Sequence, residues 1–281
     1  MKTKKILTGY LVFSILAGIG LAVWRTVLLY RYFDPYNNEF TYAANAPLKT
    51  LGYVMLIALL LVCSSAIFLQ KKTYSPFTAS RNAYSVFASS LTGCLFAAAG
   101  ILALIYYSDA LFASNGTAAF RLLLLIALIT LFLSAVYFII SASSRYAGTS
   151  IKKVFALFPM IFATAYLGAA YLSPDFVFSD SNDLLRNVSL AALVLFFIQE
   201  SRACFYQVSD VFRFPFAVAA LVCLITYELP NLFVTAFWEM ELTYMTMFEL
   251  VECGVIFYII ACARNMISHI ELPEPQQETV S

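Results

Sequence analysis

Eight long apolar segments are the feature that most limits what this chain can fold into. A helix needs about 20 mostly apolar residues to cross the hydrocarbon core of a bilayer. Charged residues make up only 12% of the chain, about half the share found in a soluble domain. We therefore predict an all-α, polytopic transmembrane bundle of eight spans. By approximate residue number, the spans are 6–30, 50–70, 84–107, 120–141, 152–172, 186–206, 214–237 and 243–265.

The connections between these segments are short, which limits the domain organisation. No stretch outside the apolar segments is long enough for a soluble domain, so residues 1–270 are predicted to form a single transmembrane domain. Short connections also predict that sequential helices pack as antiparallel neighbours. The last residues, 271–281, are polar and contain two prolines, which predicts a disordered cytoplasmic tail.

The distribution of basic residues predicts the orientation in the membrane. Cytoplasmic loops of membrane proteins carry an excess of Lys and Arg. With the N-terminus in the cytoplasm, twelve of the 17 basic residues fall at the cytoplasmic ends of the spans. Eight spans then return the chain to the same side, so both termini are predicted to be cytoplasmic. The other five, on the opposite side or in the outer half, are Arg25, Arg31, Lys49, Arg121 and Arg186.

Composition and motifs argue against several classes of function. The formal net charge of +1 does not suit a nucleic-acid partner, which would require a basic patch. The six cysteines show no CxxC spacing and His269 is the single histidine, so neither a metal site nor a haem or iron–sulfur cofactor is expected. We interpret the cysteines as small apolar packing residues. No nucleotide-binding or hydrolase motif occurs, and the protein is not expected to be an enzyme.

Ionisable residues inside the spans are the strongest candidates for a functional site, because each costs about 2.5–3.5 kcal/mol to insert. Glu249 and Glu252 stand three residues apart in span 8 and therefore share a helix face. Glu228 lies in span 7 and is followed by Pro230 and Asn231. The proline is expected to kink the helix and to free backbone carbonyls.

These carboxylates have two interpretations, and both stay open. If spans 7 and 8 turn near Met240, Glu228 and Glu252 are equally far from the turn and could form a cation or proton site with the neighbouring residues. Alternatively, Arg25 neutralises one carboxylate, and such a buried pair can be purely structural. Glu200 and Arg202 are assigned to the cytoplasmic interface. The candidate ligand- or ion-binding residues are Glu228, Asn231, Glu249, Glu252 and Arg25.

The two interpretations correspond to two functions. A carboxylate site beside a broken helix favours a carrier for a small solute or cation. A structural role for the same residues favours a non-enzymatic sensor, scaffold or accessory subunit that contacts another membrane protein. In both cases the lipid bilayer is the immediate partner.

Three stretches of the chain resemble a known group of proteins. They are Val154-Phe-Ala-Leu-Phe-Pro-Met160, the segment 193–202 that ends in Gln-Glu-Ser-Arg, and Glu228-Leu-Pro-Asn231. In these stretches the chain resembles a group of eight-span integral membrane proteins of clostridia-type bacteria that have no established activity. The resemblance implies a location in a bacterial cytoplasmic membrane, and it implies no substrate or reaction.

The predicted orientation can be tested with reporter fusions. Alkaline phosphatase needs disulfides that form outside the cytoplasm, so it should be active when fused after residue 115. Green fluorescent protein should be fluorescent when fused after residue 147 or at the C-terminus. As the control, each reporter is fused at the positions of the other, where it should be inactive or not fluorescent. A reversed pattern at all three positions would contradict the orientation.

Overall fold

The structure, a computed structural model, contains eight helices in its described part that are long and apolar enough to cross a membrane. The prediction of an all-α bundle with eight spans is confirmed. The structure describes residues 2–34, 39–69, 82–113, 117–143, 149–173, 181–205, 210–237 and 244–269. The helices are α1 (Lys2–Tyr32), α2 (Asn45–Cys63), α3 (Ala83–Ala113), α4 (Ala118–Ala142), α5 (Ser150–Phe155), α6 (Leu157–Tyr171), α7 (Ser181–Phe205), α8 (Asp210–Phe237) and α9 (Tyr244–His269).

The connection between α1 and α2 contains the small non-helical elements. Strands β1 (Phe33–Asp34) and β2 (Glu39–Phe40) pair antiparallel, with Phe33 opposite Phe40. A 3₁₀ turn at Tyr42–Ala44 then leads into α2, and a second one at Ser64–Phe68 extends α2 at its other end. The tail predicted at 271–281 lies outside the described residues.

Six helices form a closed ring. In ring order they are α3, α4, α6, α7, α8 and α9, and α9 packs back against α3. Successive helices run in opposite directions, and an even number of antiparallel helices can close a ring in this way. α1 and α2 lie outside the ring, and both pack against α8. We name the end of the bundle where α1 begins the inner end and the opposite end the outer end.

The expected pairing of sequential helices therefore holds around the ring. It is also found between α1 and α2, but α2 and α3 do not form a packed pair in the described part of the structure. Two of the main contacts join helices distant in sequence, α3 with α9 and α1 with α8. α8 touches α1, α2, α7 and α9, which makes it the most enclosed span of the bundle.

Aromatic side chains fill the middle of the ring. The ring of Phe138 in α4 lies 4.9 Å from those of both Phe96 in α3 and Tyr258 in α9, measured between centroids. It also lies 6.2 Å from Phe197 in α7, while Phe162 in α6 lies 5.4 Å from Phe96. All five side chains are buried. Offset and edge-on ring pairs of this kind add about 0.5–1.5 kcal/mol each to the burial of their surface. We call these five residues the aromatic core.

The fifth span is interrupted near its inner end. Pro159 has no N–H group to donate to the carbonyl of Phe155, and α5 ends at Phe155 while α6 begins at Leu157. The carbonyl of Ala156, three residues before the proline, accepts a hydrogen bond of 2.6 Å from Ser201 Oγ of α7. A neighbouring helix thus supplies a donor at the place where the span is interrupted.

Glycine allows α3 and α4 to approach closely. A Cβ atom at Gly93 would lie 2.9 Å from Ile139 Cγ1 and 3.2 Å from the carbonyl oxygen of Ala135. The second contact is with backbone, which cannot turn away as a side chain can. Small residues commonly permit such contacts between membrane helices.

We expect Gly93→Ala to destabilise the bundle by about 1–3 kcal/mol, because the added methyl group forces α3 and α4 apart. Gly9→Ala is the matched control, since a Cβ there meets nothing within 4 Å. Denaturant titration of both variants in detergent micelles measures the difference. Equal stability of the two variants would contradict the close approach.

Candidate functional site

The predicted carboxylates lie inside the protein. Glu228 in α8 and Glu252 in α9 each expose only 1% of their surface, and the two helices pack against each other. Glu228 stands nine residues before the end of α8, and Glu252 eight residues after the start of α9. At 1.5 Å per residue both lie about 12–14 Å from these helix ends, at similar depth in the outer half. The turn predicted near Met240 lies outside the described residues.

Glu252 faces the interior of the ring. It shares a helix face with Phe248, one turn earlier. The Phe248 ring contacts Phe162 and Tyr166 of α6, with centroid distances of 5.7 and 4.7 Å. Because α6 lies across the ring from α9, this face of α9 points inward. Glu249 belongs to α9 as predicted, but its side chain lies outside the described part of the structure.

Arg25 of α1 is also buried, with 1% of its surface exposed. Its Nη1 donates a hydrogen bond of 2.5 Å to the carbonyl of Tyr227, and its Nη2 donates one of 2.7 Å to Asn182 Oδ1. The guanidinium also lies over the Tyr227 ring, 4.2 Å from its centroid. A planar fork of donors that can also stack on a ring is specific to arginine. The side chain thereby joins α1 to α7 and α8.

The carbonyl that receives Arg25 belongs to the helical turn before Pro230. A proline cannot pair with the carbonyl four residues earlier, here that of Thr226, and its ring disturbs the adjacent bonds. Tyr227 stands three residues before Pro230, the same spacing as at the interruption of the fifth span. α8 is continuous through the proline, from Asp210 to Phe237. Thus Arg25 supplies a donor where the helix's own hydrogen bonding is weakened.

The outer site combines predicted and unpredicted residues. Glu228 follows Tyr227 directly, and Asn231 is half-buried one residue after Pro230. Asn182 was not predicted, because the sixth span was expected to begin at residue 186, whereas α7 begins at Ser181. We define the outer site as Arg25, Asn182, Tyr227, Glu228, Asn231 and Glu252.

A second group of buried polar side chains lies at the inner end and was not predicted as a site. Arg213 Nη2 of α8 donates to Glu200 Oε1 of α7 at 3.1 Å, and both side chains are buried. Lys152 of α5 is buried too and lies within range of the Glu200 charge. Glu200, which was assigned to the cytoplasmic interface, lies near the inner end of the bundle with its side chain buried. Arg202, assigned with it, is exposed.

Two tyrosines and two cysteines complete this group. The hydroxyls of Tyr137 in α4 and Tyr258 in α9 lie 3.3 Å apart. The thiol of Cys204 lies close to Tyr137, and the thiol of Cys262 lies close to Tyr258. These two cysteines therefore lie beside tyrosine side chains inside the bundle. We define the inner cluster as Tyr137, Lys152, Glu200, Cys204, Arg213, Tyr258 and Cys262.

Neither site has the ligand set of a metal centre. Within the described ranges, no group of three or more His, Cys, Asp or Glu side chains is arranged to hold a metal ion. No protein-family model, curated protein or solved structure matches this chain. The outer site and the inner cluster are therefore the features of the molecule that bear on its function.

We expect Arg25→Lys to lower the free energy of unfolding by about 1–3 kcal/mol. A lysine cannot reach the Tyr227 carbonyl and Asn182 together, which leaves a buried acceptor without its donor. Arg31→Lys, an exposed position on the same helix, is the control. Denaturant titrations in detergent should separate the two variants, and equal midpoints would show that the Arg25 fork contributes nothing.

Proposed function

We propose that this integral membrane protein is a carrier for a small solute or ion, in an occluded conformation, with the outer site as its binding site. One observation supports the proposal above others. Arg25, Glu228 and Glu252, each 1% exposed, come from three helices and lie at similar depth in the outer half of the bundle, where α8 contains Pro230. Ionisable residues inside a membrane mark substrate or ion pathways by default, and carriers commonly build their sites where a helix is interrupted.

The charges of the outer site favour a cation or a proton as the ligand. Two carboxylates, Glu228 and Glu252, accompany one guanidinium, that of Arg25. Charges buried in a medium of low dielectric constant need compensation, and a bound cation or proton supplies it. The half-buried amide of Asn231 and the carbonyls near Pro230 are oxygen ligands of the kind that hard cations prefer.

Passage of a solute requires the helices to move, because the aromatic core fills the middle of the ring. Two positions suit such movement. α8 contains Pro230 toward its outer end, and the fifth span is interrupted at Ala156 toward its inner end. Prolines are common bending points of helices. Arg25 and Ser201 donate to carbonyls at these two positions, so their hydrogen bonds hold the conformation described here.

The second candidate function is that of a sensor, scaffold or accessory subunit. The filled centre of the ring favours it, since a protein that acts through lateral contacts needs no passage. Under this hypothesis Arg25 and the carboxylates stabilise the bundle and bind no solute. For either function we propose a bacterial cytoplasmic membrane with both termini inside, on the resemblance and the charge distribution described above.

Flux measurements on purified protein in liposomes test the carrier proposal. A pH-sensitive dye inside the liposomes reports proton movement when a Na⁺, K⁺ or pH gradient is imposed. We expect flux above that of protein-free liposomes, and Glu228→Gln or Glu252→Gln should reduce it to that background. Asp183→Asn is the control, because this carboxylate of the outer end pairs with Arg186 of its own helix at 3.2 Å.

Two outcomes would contradict the carrier proposal. Wild-type protein that is monodisperse and thermally cooperative, yet moves none of these ions, would favour the sensor or scaffold. Flux that persists in both glutamate variants would show that the pathway avoids the outer site.

A further inference from the structure

The inner cluster contains a buried carboxylate oxygen that the described residues do not satisfy. Glu200 Oε1 accepts a hydrogen bond from Arg213, whereas Glu200 Oε2 has no hydrogen-bond partner in the part of the chain that the structure describes. Ser141 Oγ is also buried and has no hydrogen-bond partner among the described residues. It lies one turn from Tyr137 on the same face of α4. Buried polar atoms are almost always satisfied by protein, water or a ligand. Glu200 Oε2 and Ser141 Oγ, at the same end of the bundle, therefore point to a bound species.

Glu200 is directed toward the ring interior. It shares a helix face with Phe196 and with Cys204, four residues before and after it. The Phe196 ring contacts Tyr258 of α9, at 6.3 Å between centroids, and Cys204 lies close to Tyr137 of α4. Neither α4 nor α9 is a ring neighbour of α7, so this face of α7 looks across the ring. Glu200 thus lies inside it, close to the inner end.

The charges around Glu200 set the sign of a ligand. Among the described residues of the inner cluster, Lys152 and Arg213 carry positive charges and Glu200 carries a negative one. Positive side chains in surroundings of low dielectric constant attract anions. Glu200 Oε2, by contrast, can only accept a hydrogen bond while it is ionised. A species that suits both features carries an anionic group and a separate hydrogen-bond donor.

We propose that the inner cluster is a binding site for a small hydroxylated carboxylic acid, entered from the inner end of the bundle. The ligand carboxylate lies toward Lys152 and Arg213, and its hydroxyl donates to Glu200 Oε2. The hydroxyls of Ser141 and Tyr137 add further hydrogen bonds. Binding here requires no transport through the outer site, so each proposal can fail without the other.

Two native cysteines report on occupancy of this site. Cys204 and Cys262 belong to the inner cluster, so a bound acid should slow their alkylation by N-ethylmaleimide. The probes are two matched pairs that differ by one hydroxyl: L-lactate with propionate, and L-malate with succinate. Full-length protein in lipid nanodiscs is alkylated with each probe present, and peptide mass spectrometry gives the rate at each cysteine.

We expect the hydroxy acid of at least one pair to slow alkylation of Cys204 and Cys262 more than its matched partner does. The rates at Cys63 and Cys94, which are exposed at the protein surface, should not change. Glu200→Gln should abolish the difference within the pair, and Arg202→Gln, an exposed position on the same helix, should preserve it. Ser141→Ala leaves the Glu200–Arg213 ion pair in place and should weaken protection even if Glu200→Gln does not fold.

Three results would overturn the proposal. Equal effects of the two acids within each pair would mean that the hydroxyl is not recognised. No protection by any acid would leave water as the species that satisfies Glu200. Equal protection by the hydroxy acid in the wild-type protein and in Glu200→Gln would show that Glu200 Oε2 does not accept a hydrogen bond from the ligand hydroxyl.

Discussion

A polar group inside a bilayer has no water with which to form hydrogen bonds, and this constraint governs most of the contacts between the helices. Backbone groups must find their hydrogen bonds within the protein, which is why the spans are helices. A proline breaks that rule locally. At Pro159 and at Pro230, a carbonyl three residues earlier accepts from a side chain of another helix, Ser201 or Arg25. The helix interruptions are therefore also contacts between helices.

Arg25 shows how one residue serves several helices at once. Its guanidinium binds a carbonyl of α8 and an amide of α7 and stacks on an aromatic ring of α8. α1 lies outside the six-helix ring, and Arg25 connects it to both α7 and α8 at the outer end. At the inner end, the Glu200–Arg213 pair joins α7 to α8 in the same way. The aromatic core packs the ring between these two connections.

The spans were predictable because hydropathy is a local property of the sequence. The predicted segment 120–141 corresponds to α4, Ala118–Ala142, and the burial of the candidates Arg25, Glu228 and Glu252 agrees with their place inside apolar segments. The closure of α3 against α9 was not predictable, since no local pattern states which helices distant in sequence will meet. The hydrogen bond from Arg25 to the Tyr227 carbonyl was not predictable either, because every residue has a backbone carbonyl and the sequence does not indicate which one is used.

The inner cluster escaped prediction for a different reason. Glu200, Arg213 and Lys152 stand near the ends of their spans, and charged residues in such positions usually reach water at the interface. Whether they do so depends on the helices around them, which the sequence of a single span does not reveal. Glu200 lies on the same helix as the exposed Arg202, two residues away, yet it faces the ring interior. The sequence therefore predicted how far along its span Glu200 lies, but not the side of the helix to which its side chain points.

The burial of Lys152 and Arg213 also bears on how the orientation is established. Both were counted among the twelve basic residues of the inner side, and both remain at the inner end, although inside the bundle. Without them, ten basic residues of the inner side still oppose five of the outer side. The predicted orientation therefore does not depend on these two residues. Spans are oriented by charge as they insert, whereas a buried ion pair contributes once the helices have packed. Lys152 and Arg213 can thus act first as topological signals and later as members of a buried polar site.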